Sequence, residues 1–89
     1  MLDSAFAVRS LYFEIWADAN QCRQATTDEE RAHWHSEVDN AYTRLVREAR
    51  VVNTAYRAVE EPGFRDAVVK TSDASSACME VAGDLLDLD

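Results

Sequence analysis

Residues 27–60 read TDEERAHWHSEVDNAYTRLVREARVVNTAYRAVE, and the fold turns on how that stretch is wound. At about 100° per residue, Trp34, Val38, Ala41, Leu45, Ala49, Val52, Tyr56 and Val59 share one arc. Ser36, Asn40, Thr43, Arg47, Arg50, Thr54 and Arg57 share the opposite one. The apolar positions advance 25 residues in seven steps, near the helical repeat and far from the alternation of a strand. Thr27-Asp28-Glu29-Glu30 has the form of a capping box, with Thr27 as N-cap and Glu30 three residues on. Pro62 and Gly63 stop the pattern, since proline cannot continue a helix and glycine turns the chain readily. The stretch predicts one amphipathic helix over 27–60, roughly 50 Å long, against which the rest packs.

On the N-terminal side, Asp3 or Ser4 is placed to cap a helix over about 4–23. Its main seam is Ala5, Val8, Tyr12, Ile15, Ala19 and Cys22, flanked by Leu11 and Trp16. A second stripe, Phe6, Phe13 and Ala17, lies well away from the first on the same helix. Asp3, Arg9, Glu14 and Asp18 are nearly all its charge, so this helix is apolar around most of its girth. Helices of that kind are covered on more than one side. On the C-terminal side, Phe64, Ala67, Thr71, Ala74, Cys78, Val81, Leu85 and Leu88 step by three and four, which predicts a third helix over 63–87. Thr71-Ser72-Asp73 is a poor helix interior and a good N-cap, so a break at 71–73 is the alternative.

Connections of a few residues make consecutive helices antiparallel neighbours. The expectation is an all-α, up-down-up three-helix bundle, a single helical domain over 1–89 with a long central helix. Helix two then outruns helix one, leaving Val52, Tyr56 and Val59 partly uncovered at the overhang. Trp16 and Trp34 flank the first turn and read as core aromatics there.

The charge distribution bounds the function. Seventeen acids against nine bases leave −8, which argues against direct nucleic-acid binding because phosphates require a basic surface. Residues 18–39 and 80–89 together hold ten acids and only Arg23 and Arg31, so the whole net charge gathers at one pole of the expected bundle. Asp84, Asp87 and Asp89 oppose the macrodipole of their own predicted helix, which leaves a contact with a basic partner or solubility as their use. No signal-peptide pattern and no long apolar run is present, and Cys22 and Cys78 lack disulfide-scaffold or metal-ligand spacing. A reduced, cytoplasmic setting without membrane contact follows as the expectation.

Chemistry-bearing residues are sparse. Glu30-x-x-His33 has the spacing used by di-iron bundles but occurs once, and Glu29, His33 and Glu37 on one exposed face suit mutual stabilisation better than metal. No nucleophile, base and orienting group assemble, and no phosphate loop exists, so neither a catalytic residue, a metal nor a cofactor is assigned. Tyr56-Arg57-Ala58-Val59-Glu60 resembles the Tyr-x-x-x-Asp/Glu signal of small type VII secretion substrates. Those substrates carry Trp-x-Gly in the hairpin turn, whereas this chain reads Trp16-Ala17-Asp18 ahead of it, so no family is assigned on that pattern. The expected role is a non-enzymatic interaction module, an adaptor, subunit or regulator, that homodimerises or docks on a larger protein. Its candidate contacts are Phe6, Phe13, Ala17, Val52, Tyr56, Val59, Asp84, Asp87 and Asp89. The alternative is an acidic inhibitor that occupies a basic or nucleic-acid-binding surface, of the anti-restriction or anti-CRISPR type.

Overall fold

Three helices account for the secondary structure in a computed structural model that describes residues 1–56, 58 and 60–83, the side chain of residue 72 excepted. They are α1 (Leu2–Gln24), α2 (Asp28–Ala55) and α3 (Phe64–Ala82), and no strand occurs among the described residues. Glu14–Arg44 (2.7 Å) and Cys22–Arg31 (3.5 Å) tie descending positions of α2 to ascending positions of α1, so α2 runs back along it. The loop after α2 returns the chain to the start of α1, where Glu61 Oε2 accepts from the Leu2 N–H at 3.0 Å. The fold is the three-helix bundle that the apolar periodicity predicts.

The centre of the bundle is α1, not α2. Both α2 and α3 pack along α1, and they hardly approach one another. The reason is the girth of apolar side chains that α1 carries, while α2 and α3 each present a single stripe. Ala5, Val8, Leu11, Ile15, Ala19 and Cys22 are buried on α1, meeting Val38, Ala41, Leu45, Val52 and Ala55 of α2. From α3, Phe64, Cys78 and Ala82 complete the cluster. Leu11 is buried where the seam reading placed Tyr12, which is only half-buried.

Helix ends follow local chemistry at one end of α2 and tertiary demand at the other. Thr27 Oγ1 accepts from the Glu30 N–H at 3.1 Å, the first half of the capping box. The Glu30 carboxylate reaches back to the Thr26 N–H (3.4 Å), one residue earlier than the standard motif. At its other end α2 stops at Ala55, five residues short of the expected Glu60. There the Ala58 N–H turns back to the Ala55 carbonyl (3.0 Å), and Arg65 Nε donates to the Tyr56 carbonyl (3.2 Å). Early termination lets Phe64 insert fully into the core and brings Glu61 to α1. It also removes most of the expected overhang: Val52 is 3% exposed, a core residue rather than a docking one. The expected N-cap of α1 is corrected too, because the helix begins at Leu2 and its first N–H is satisfied by Glu61 rather than by Asp3 or Ser4.

No break interrupts α3. Thr71 is buried and its hydroxyl donates to the Ala67 carbonyl (2.9 Å), so the side chain that reads as a cap is satisfied within the helix. Its predicted extension to residue 87 lies outside the described residues.

Candidate functional site

The side of α1 that points away from both partner helices carries the molecule's most exposed aromatic surface. Phe6 is 51% exposed, Phe13 45% and Trp16 42%. On the helical wheel, Phe6, Phe13 and Ala17 stand roughly opposite the buried seam, with Trp16 and Arg9 along one flank. Among the described residues Arg9 lies over one of them, its guanidinium carbon 5.4 Å from the Phe13 ring centre. Residues 64–70 form the start of α3 and leave Phe6 half in solvent. Trp16 is therefore corrected from a core aromatic to a surface one, whereas Trp34 is half-buried and meets the His33 ring edge-on at 5.0 Å.

The opposite flank of this stripe is acidic. Glu14 Oε1 holds Arg44 at 2.7 Å. Burial first, and then the charges of Glu14 and Glu37, push the Asp18 carboxyl above the usual aspartate range, against the opposing pull of Arg44 and His33. His35 Nδ1 lies 3.3 Å from Asp39 Oδ2 one turn away. Among the described residues no three His, Cys, Asp or Glu side chains are grouped to hold a metal ion.

A second concavity, of about 350 Å³, opens where α2 and α3 part over α1. Val8 and Tyr12 form its floor, Ala49 and Asn53 one wall, Val68 and Ser75 the other. No carboxylate, imidazole, thiol or basic group lines it. Both cysteines are buried and free of disulfide, and burial raises the Cys78 thiol above its ordinary pKa, which disfavours its thiolate.

The predicted contact residues thus separate. Phe6, Phe13 and Ala17 share one open face. Tyr56 is half-buried with its ring 5.7 Å from the Arg65 guanidinium, and Val52 belongs to the core. Val59, Asp84, Asp87 and Asp89 lie outside the described residues. Sequence reasoning passed over Trp16 as a surface residue, because its position about a quarter of a turn from the seam centre puts it at the seam's edge. No helix among the described residues is long and apolar enough to cross a membrane. Compared with protein-family models, with curated proteins and with solved structures, the chain matches none.

Proposed function

We propose that this chain is a non-enzymatic interaction module, an adaptor, subunit or regulator, that docks through the outer face of α1 in the cytoplasm. The observation that carries the reading is the exposure of two phenylalanines and a tryptophan on one side of a helix whose other side forms the core. Aromatic anchors at the centre of a patch supply most of the binding energy at protein interfaces. The net charge of −8 directs the proposal toward a protein partner rather than a nucleic acid.

A second reading rests on a different observation. Asp18 sits among Glu14 and Glu37, whose charges add to burial in holding its carboxyl above the usual range. A basic surface would offset those charges, so the acidic pole suits an inhibitor of a basic or nucleic-acid-binding protein. Affinity capture from the native host, with mass spectrometry, separates the two readings when the bait is either the natural chain or Phe6→Ser/Phe13→Ser. The docking reading predicts a partner lost with the double variant and insensitive to salt. Retention by the variant with loss at high salt favours the inhibitor.

A further inference from the structure

We infer that the occupant of the α1 outer face is a second copy of this chain, with the two α1 helices side by side and parallel about a two-fold axis; this rests on the docking reading above. Wound at about 100° per residue, Arg9 and Glu14 fall on opposite flanks of the Phe6–Phe13–Ala17 stripe, five residues apart. In a parallel pair each flank meets the other flank of its partner, and a spacing of five is the one at which parallel coiled coils place their interhelical ion pairs. Arg9 of each copy then approaches Glu14 of the other, giving two equivalent pairs.

An antiparallel pair does the reverse. Each flank then meets its own kind, which sets Arg9 near the other Arg9 flank and Glu14 near the other Glu14 flank. The electrostatic state of the single chain agrees with the parallel choice. Among the described residues Arg9 has no carboxylate partner, and it rests over Phe13. Glu14 uses only Oε1, for Arg44. The acids beside it, Asp18 and Glu37, leave that flank short of positive charge. Phe6 and Phe13 repeat at seven residues and fill alternate seam positions, while Ser10 and Ala17 between them let the two helices approach. Assembly also places α1, apolar around most of its girth, at the middle of six helices. With so short a seam the dimer is a weak one.

Sedimentation velocity from about 1 to 500 µM reads the association directly, using the whole chain. The expected result is a dimer that grows with concentration and disappears in Phe6→Ser/Phe13→Ser. Arg9→Glu, which sets two acids against each other, is expected to weaken association about tenfold. Ala17→Cys, at an exposed position, is expected to give a disulfide-linked dimer with oxidised glutathione, because Ala17 meets its own counterpart only in the parallel arrangement. A monomer at every concentration overturns the inference and leaves the docking face to another protein. A dimer indifferent to Phe6→Ser/Phe13→Ser overturns it in favour of another face. A dimer unweakened by Arg9→Glu and not cross-linked through Ala17→Cys overturns the parallel orientation. The docking reading itself fails separately, when the double variant keeps every partner that the natural chain captures.

Discussion

The three phenylalanines of this chain occupy two different worlds. Phe64 is 0% exposed at the start of α3, while Phe6 and Phe13 are half in solvent on the back of α1. Residue type and helical context are alike, so propensity does not separate them. What separates them is whether another helix covers the face. The inner side of α1 is closed by α2 and α3 together, and none of the described residues covers Phe6 or Phe13 on the outer side. The same apolar chemistry is stability in one place and an unsatisfied surface in the other.

Substitutions sharpen that contrast, and the largest effect belongs to the covered side. Phe64→Ala is expected to cost about 3–5 kcal/mol in urea denaturation, since the ring leaves a cavity that packed helices close only in part. Next comes the start of α2. Thr27→Ala removes the oxygen that accepts from the Glu30 N–H and is expected to cost about 1 kcal/mol, read in the same way.

Glu61→Gln takes the charge from the carboxylate that accepts from Leu2 and pairs with the Met1 ammonium at 2.9 Å. Those two bonds hold the Glu61 carboxyl below the usual glutamate range. A depressed carboxyl stabilises the fold above its unfolded pKa and loses that contribution as pH falls through the lower folded value. Glu61→Gln is therefore expected to lower the unfolding midpoint at neutral pH, with the difference fading as pH falls below the ordinary glutamate pKa.

Asp18→Asn carries the opposite sign. Its raised carboxyl means that the folded chain binds the proton more readily, so ionisation works against the fold as pH rises through that window. The variant is expected to be slightly more stable at neutral pH, by little because solvent screens the site, and no different once both states are protonated in acid. A loss on this substitution would mean that Arg44 or His33, rather than burial, governs the site.

These regions also differ in how far the residues announced them. The start of α2 was legible in Thr27 and Glu30 because an N-cap is local chemistry within four residues. Its end was not, because Ala55 ends the helix for reasons found nine residues away, in Arg65 and the burial of Phe64. The same holds for α1, whose first N–H is capped by a glutamate 59 residues distant in sequence. The three-helix bundle was readable from apolar spacing, but spacing along one chain does not rank helices by position. The long period of α2 made it look central, whereas the girth of α1 was the better signal. Of the site, the Phe6–Phe13–Ala17 stripe was legible as a face separate from the seam. Val52 was misplaced because an overhang was inferred from a helix end set by tertiary contacts.

The account stands on the outer face of α1 being surface in the single chain. Its most direct test is the urea midpoint of Phe6→Ser/Phe13→Ser at submicromolar concentration, where association contributes nothing. An unfolding free energy within about 0.5 kcal/mol of the natural chain is the predicted result, as for surface substitutions generally. A loss of about 3 kcal/mol or more would make the stripe part of the core and contradict the account.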